Sequence, residues 1–573
     1  MEANTEYDGT IFYRLDLEPA GLAIVELMDL VISLQGLDAY NVYRSGRDQK
    51  VGTVPGTTGP FWDSSKLPAC PNISGTFLPF ACLTDGERAF LWCADSDRGW
   101  MLDDRKPSFF LERDRSGPVM RARLANRTYR MSSSRTIEFM LQALPEKPCP
   151  DDYRYRIWQG WVKEFYNAPV VGSLSCFWAY GTGPTISFYK DEHYEIFRKQ
   201  IEEKKAEAVK SSLTAAGPKF EPLAVWYVAT NTSGLAMPEY DTYSGEWLGK
   251  TYQKPMPDPH YKDAKTPWGV WTEPRQQMRS YMDLTPSAVD CRVYAYDQHQ
   301  KRCGLNGYWW DHDRFWSSGN PILGTGYIRD DGRVQGIFNI SLMRQMMKRM
   351  ATCAEINGVR PWHGYYAPNN VGPISSFLQY NWGVESWVYM RSEKMDLLDN
   401  TGDLNGYKVL LGRYTGNPVE LTSLTHENTR KIQTRCILGM ALLADAGVTQ
   451  GRVDREEWKK LVAILRDFGY FEPSTEWVPW WRSDPFVKVE GSKIAATVYR
   501  RHQPGLAPAA LIVLFNEGEA EAEVTVKFSE KNLLDRPVSA VTDPENGQVF
   551  EFRDCQVKAL PIKRHDYRLL LLK

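Results

Sequence analysis

The chain has no Cys-x-x-Cys pair; its ten cysteines lie far apart. That argues against a structural zinc site and against a dense disulfide framework. It has no excess of either charge. Sixty-nine Lys and Arg face 71 Asp and Glu, a net charge of −2, so the basic footprint of a nucleic-acid binder is missing. It has no long apolar run. The nearest, residues 21–34, is interrupted by Glu26 and Asp29, short of the roughly 18 residues a membrane span needs. There is no G-x-S-x-G, no P-loop and no convincing dinucleotide fingerprint. No internal repeat or low-complexity tract is present. No signal peptide opens the sequence as given. The expectation is a soluble protein, secreted if an upstream signal was removed and otherwise cytoplasmic.

What is abundant is aromatic. Aromatic residues make up 13% of the chain, with 20 Trp. Many fall near expected strand ends, among them Trp178, Trp226, Trp309, Trp310, Trp362, Trp382, Trp387, Trp480 and Trp481. Any one of them fits core packing. As a set they favour a cleft walled by flat apolar faces, on which sugar rings stack through their C–H patches while their hydroxyls seek carboxylates.

At 573 residues the chain should hold roughly three or four domain-sized units. Residues 1–150 read as β-rich, with short runs at 10–15, 89–93, 119–124 and 136–144 between turn clusters. A β-sandwich is expected, and Pro145–Pro150 reads as a linker. Asp95-Ser-Asp97-Arg98-Gly99-Trp100 reads either as a solvated turn or as a loop facing the next domain. From 151 to 485 strands alternate with helices, which argues for a parallel β/α arrangement. Strands are expected at 173–180, 223–230, 278–284, 307–310, 359–363, 376–382 and 408–411. Helices are expected at 191–211, 287–303, 341–355, 429–446 and 456–468. The insertion 231–274 has little periodicity and reads as a wall of the site. A Gly-rich loop is expected at 317–336. Residues 486–573 read as a second, smaller β-sandwich, with Asn516-Glu-Gly518 as a hairpin turn. The expected fold is multidomain α/β plus all-β: a central (β/α)8 TIM barrel at 151–485, flanked by N-terminal and C-terminal β-sandwiches at 1–150 and 486–573.

The chain is organised around Gly304-Leu-Asn-Gly-Tyr-Trp-Trp-Asp-His-Asp313. A helix with Val289, Val293 and Tyr296 at helical spacing runs into Gly304, and a short buried strand then delivers Asp311. That order is how a β/α barrel brings a side chain to its catalytic face. On this strand count Asp311 ends strand four and Glu385 ends strand six, so both point to the same barrel face. Two carboxylates across an aromatic cleft suit glycosidic bond cleavage. One protonates the leaving oxygen; the other attacks the anomeric carbon or activates water. Trp178, Trp226, Tyr308, Trp309, Asp313, His363 and Trp382 are the candidate substrate-binding residues. The competing readings are structural: Asp311 capping a loop, Glu385 paired with Arg391, His363 as a core histidine. His312 beside Asp311 makes no metal pair by spacing. Asp330-Asp331-Gly332 reads as a turn rather than a calcium loop. No metal and no cofactor is expected.

Several stretches carry a resemblance. Glu6-Tyr-Asp-Gly9, Ala94-Asp-Ser-Asp-Arg-Gly-Trp100, Gly307-Tyr-Trp-Trp-Asp-His-Asp313, Leu342-Met-Arg-Gln-Met-Met-Lys-Arg349 and Gly383-Val-Glu385 occur in this order. The layout is similar to glycoside hydrolase-like proteins grouped near families 101, 123 and 129. The resemblance implies Asp311 as nucleophile and Glu385 as acid/base of a retaining enzyme acting on an oligosaccharide or polysaccharide. It also hints at galactose-like or N-acetylgalactosamine-like units. Family 123 enzymes use an adjacent Asp-Glu pair, whereas His312 follows Asp311 here. An inverting mechanism with the same pair therefore stays open. So do a carbohydrate-binding protein without activity and, further off, a polysaccharide lyase. Oligomeric state is not readable from the sequence.

Overall fold

The computed structural model describes residues 1–44, 49–158, 176–179, 191, 194–195, 198–199, 201–203, 205–206, 223–229, 232–234, 238–247, 256–257, 278–281, 283–311, 317–366, 372–383, 396–401, 404–421, 430–448, 453–491, 493–502 and 505–573. Side chains at 176–179, 226–227, 311, 365–366 and 382–383 are not described.

Near the N-terminus two antiparallel sheets pack face to face. Seven strands lie in the order Glu2–Thr5, Ile11–Leu17, Arg135–Leu144, Ala89–Cys93, Phe80–Thr84, Ala39–Tyr43, Lys50–Thr53. Four more lie in the order Met28–Ser33, Pro118–Ala125, Phe109–Arg113, Gly59–Asp63. Alternate residues turn inward, so Leu91, Leu111, Met120 and Ile137 meet in one core. Trp92 anchors it, stacked on Phe139 at 5.0 Å with Trp100 edge-on at 6.2 Å. The expected linker is not loose. Lys147 donates to the carbonyls of Ser376 and Leu378, and Ser375 donates to Glu146 at 3.1 Å.

The central region holds a seven-stranded sheet in which every neighbour is parallel and sheet order equals chain order. Its strands are β1 (Cys176–Ala179), β2 (Leu223–Ala229), β3 (Gly307–Asp311), β4 (Gly364–Tyr366), β5 (Tyr380–Gly383), β6 (Val419–Leu421) and β7 (Gly447–Val448). Five of its helices are α1 (Pro286–Cys303), α2 (Ile340–Ile356), α3 (Leu404–Leu411), α4 (Arg430–Ala444) and α5 (Arg455–Phe468). Thr285 caps α1 by accepting from the Ala288 amide. Gly304 ends it in the left-handed region, φ 69°, a conformation without cost only for glycine. Met343, Met347, Met350 and Ala354 form the buried stripe of α2, as their spacing predicts.

Four expected strands are corrected. Met278–Tyr281 pairs antiparallel with Thr232–Gly234 and Met256–Pro257 in a separate sheet. β3 is therefore the third parallel strand among the described residues, not the fourth. Residues 408–411 belong to helix α3, where Lys408 reaches Asp38 at 2.7 Å; a short apolar run has no period to tell helix from strand. The strands expected at 359–363 and 376–382 begin later, at Gly364 and Tyr380. A 3-10 turn, Ser375–Phe377, fills part of the gap. Two expected loops are also structured. The insertion 231–274 contains a helix, Pro238–Trp247, whose buried Trp247 donates to Ser287 at 3.0 Å. The Gly-rich stretch holds the hairpin Gly326–Ile328 and Val334–Phe338.

The C-terminal region pairs a five-stranded with a three-stranded antiparallel sheet. Asn516-Glu-Gly518 does not close a hairpin. Ala509–Asn516 and Ala522–Phe528 lie in different sheets, and the Asn516 amide ties the crossing by donating to the carbonyls of Ala520, Ile562 and Lys563. Residues 549–552 form no strand; Gln556–Ile562 takes that place.

Two of the motifs noted in the sequence are clamps between the sandwich and α2. Asp95 lies partly buried at the start of α2 and accepts from the Ile340 and Ser341 amides at 2.9 and 3.1 Å and from the Ser341 hydroxyl. It caps a helix that Asn339, at its own N-cap, leaves uncapped. Burial pushes the Asp95 carboxyl up to about 6 despite these donors. Asp97, fully buried, accepts from Tyr327 at 2.8 Å and Gln335 at 3.1 Å. Arg344 of α2 reaches back to Asp8 through both terminal nitrogens, at 2.8 and 2.9 Å, and to Glu6 at 2.5 Å.

Candidate active site

The site begins with the way β3 is held. Asn306, one residue before the strand, joins three strands at their starts. Its side-chain oxygen accepts from the Ala224 amide at 2.8 Å, and its NH2 donates to the Arg360 carbonyl at 3.0 Å. Its backbone carbonyl accepts from Trp362 N and from the Tyr296 hydroxyl of α1. The Tyr308 hydroxyl bonds His299 Nδ1 at 2.6 Å, and the Tyr308 amide donates to His363 Nδ1 at 3.3 Å. Burial drives both histidines down to about 3, so each is neutral and serves as a hydrogen-bonding fixture.

These contacts settle which face of the sheet is which. Tyr308 packs on Tyr296 at 5.0 Å and on Trp310 at 5.2 Å, in one core with Val289, Val293, Met343 and Met347 of the covering helices. His363 lies 4.8 Å from the same Tyr296. Tyr308 and His363 are therefore fully buried beneath α1 and do not line a cleft, which corrects both as substrate-binding candidates. Farther along, Val419 and Leu421 share a core with Cys436, Ile437 and Met440 of α4. Successive residues of a strand face opposite sides. Trp309, Gly364, Tyr380 and Glu420 thus belong to the face away from the helices.

That inner face has an aromatic floor. Trp309, Gly364 and Tyr380 are register partners. A Cβ at Gly364 would overlap the Tyr380 ring, so the absent side chain is what lets the ring lie there. Trp362 stacks on Tyr380 at 5.3 Å, and the Arg156 guanidinium stands 5.4 Å from the Trp362 ring. Trp309 is only 3% exposed, so it belongs to this floor. One pleat higher toward the C-terminal ends runs the row Tyr366, Trp382, Glu420, Gly447. Because Trp310 pairs with Tyr365, position 311 continues this row on β3, where it pairs with Ala229 on the other side.

Of the expected residues, the structure brings Asp311 and Trp382 to that row by backbone register. Trp178 lies on β1 opposite Val225, and Trp226 on β2 opposite Tyr308. Glu385 and Asp313 lie outside the described residues. So do His312, Trp387 and Arg391. Glu420 was missed. It sits in a three-residue strand, too short for periodicity, and only the ladder register reveals it. Among the described residues one cluster has metal-ligand spacing: Asp396, Asp399 and His565. Arg564 already pairs with both carboxylates and His565 bonds Asp396, so the cluster reads as an ion-pair network.

No protein-family model matches the chain, and no curated protein matches it. Solved structures do. The galactosidase domain of the alpha-galactosidase-sucrose kinase AgaSK aligns over 99% of this chain and 78% of its own, with 11% identity and a TM-score of 0.44. The family 36 alpha-galactosidase AgaB of Geobacillus stearothermophilus aligns over 98% and 79%, with 12% identity and a TM-score of 0.43. The maltogenic alpha-amylase AmyB of Thermotoga neapolitana aligns over 70% and 90%, with 9% identity and a TM-score of 0.43. Likenesses this distant leave function to be argued from the site.

Proposed function

We propose that the chain is a glycoside hydrolase cleaving an O-glycosidic bond of an oligosaccharide or polysaccharide, with retention of configuration. The observation that carries this reading is the position of Asp311. It is the last residue of a central strand in an all-parallel sheet, on the face away from the helices and above an aromatic floor. The carboxyl ends of parallel strands are where β/α proteins place reacting groups. We assign Asp311 as nucleophile and Glu385, two residues beyond β5, as acid/base. Burial would raise the acid's affinity for its proton.

The reading includes closure of the parallel sheet into a (β/α)8 barrel between an N-terminal unit at 1–150 and a C-terminal unit at 486–573. What supports closure is the chain-order parallel topology of the described strands.

Hydrolysis of aryl α- and β-glycosides and of oligosaccharides by wild type, Asp311→Asn and Glu385→Gln tests the proposal. Loss in both variants, with azide restoring turnover of one as a glycosyl azide, is expected. Undiminished cleavage by Asp311→Asn removes Asp311 from the mechanism. A wild type that binds glycans but cleaves none replaces the enzyme with a binding protein.

A further inference from the structure

Resting on that reading, we infer that the groove between the N-terminal sandwich and the hairpin Gly326–Ile328, Val334–Phe338 binds a neutral polysaccharide chain, holding the polymer beyond the bond being cut. The groove encloses about 1110 Å³. A pocket for one small molecule takes roughly 300–1,000 Å³, so this one has room for linked units. One wall is the face of Glu2–Thr5, Ile11–Leu17 and Arg135–Leu144 that is turned away from the core residues Ile137 and Phe139. Register sets two rows across it: Asn4 beside Phe12, then Glu2 and Glu138 on either side of Arg14. The hairpin and the start of α2 supply a second wall, and the loop 95–100 lies between.

The lining selects the ligand. Arg98 and Arg127 line the groove, are exposed, and pair with no carboxylate among the described residues. Glu2 and Glu138 are exposed carboxylates. A guanidinium only donates hydrogen bonds and an ionised carboxylate only accepts them. A ligand that meets both kinds must accept and donate, and a chain of like charges would be repelled by one pair or the other. Sugar hydroxyls both accept and donate without charge, and the half-buried Phe12 ring suits the apolar face of a pyranose. The groove also lies toward the reacting end of the sheet. α1 turns through residues 304–306 directly into β3 and packs back along it, Tyr296 on Tyr308 at 5.0 Å, so α1 begins at the end where β3 finishes in Asp311. Pro286 at the start of α1 and Asn339 at the start of α2 both line the groove. A polymer held there runs beside the strand ends at which its bond is cut.

The test is native electrophoresis of the whole chain through gels containing amylopectin, galactomannan, arabinoxylan or mixed-linkage β-glucan, with heparin and polygalacturonate as charged controls. Wild type, Arg98→Ala, Glu138→Gln and Arg553→Ala, an exposed position outside the groove, are run side by side, and each is melted to check its fold. At least one neutral polymer should retard wild type. Loss of a hydrogen bond to a charged group predicts a dissociation constant roughly 10-fold weaker for Arg98→Ala and for Glu138→Gln on that polymer, with melting unchanged and Arg553→Ala like wild type. Retardation by no neutral polymer, retardation by the charged controls alone, or groove variants retarded like wild type overturns the inference. A chain retarded as expected that hydrolyses no glycoside keeps the groove as a binding site and overturns the proposed function.

Discussion

Arg344→Met is the perturbation whose magnitude the structure sets most clearly. Arg344 and Asp8 are each 2% exposed at the side chain, joined by two hydrogen bonds at 2.8 and 2.9 Å. Glu6 adds a second carboxylate, and Ser376 donates to Asp8 from the segment before β5. Methionine fills much of the same volume but leaves Asp8 buried without its cation. Removing one partner of a buried pair costs about 3–5 kcal/mol. Glu6 is 27% exposed at its side chain, so it turns to water and adds little. The double variant Asp8→Asn, Arg344→Met leaves no unpaired buried charge and should regain much of the loss. The assay is urea unfolding by tryptophan fluorescence, with amide exchange followed across α2. A loss near 4 kcal/mol, largely restored in the double variant, supports the clamp. A loss below about 1 kcal/mol, or a double variant no better than the single, refutes it.

The remaining predictions concern pH, packing and the clamp. The Asp95 carboxyl rises from 3.8 to about 6 on folding, so the folded chain holds a proton that the unfolded chain has lost; stability should fall by about 3 kcal/mol as pH climbs through that window and then level off. Asp95→Asn should flatten this slope in melting curves taken from pH 4 to 7; an unchanged slope contradicts the assignment. Asp8 behaves oppositely. Burial pulls its carboxyl up, but the Arg344 and Ser376 hydrogen bonds outweigh burial and hold it below 3.8, so its contribution should vanish only under more acid conditions. Gly307→Ala would set a Cβ against the Trp362 carbonyl at the start of β3 and should cost about 1–3 kcal/mol by melting, whereas Gly56→Ala, with open space around it, should show no such clash.

The long periodic elements were legible in the sequence because burial enforces their period. α1, α2 and α5 are within a residue or two of their expected ends, and Thr285, Gly304 and Gly469 mark boundaries that capping chemistry predicts. The short strands were not. β4, β6 and β7 have three, three and two residues, too few to show alternation, and their places depend on pairing partners more than a dozen residues away. Residues 408–411 misled for the same reason. Tyr308 and His363 were assigned to a cleft because they adjoin strand ends. A one-residue step along a strand reverses the face, and Tyr296 and His299 of α1 claim both of them. Asp95, Asp97 and Arg344 stood out as motifs, but sequence does not say which domain supplies a buried carboxylate's partner.

The most direct test of the central claim is covalent trapping. Wild-type protein is incubated with an activated fluorosugar that slows turnover of a glycosyl-enzyme, then digested, and the labelled peptide is sequenced by mass spectrometry. One sugar on the peptide containing residues 307–313, fixed on Asp311 and absent from Asp311→Asn, is the predicted result. Sugar attached to another residue, or an actively hydrolysing enzyme that never becomes labelled, would contradict Asp311 as nucleophile.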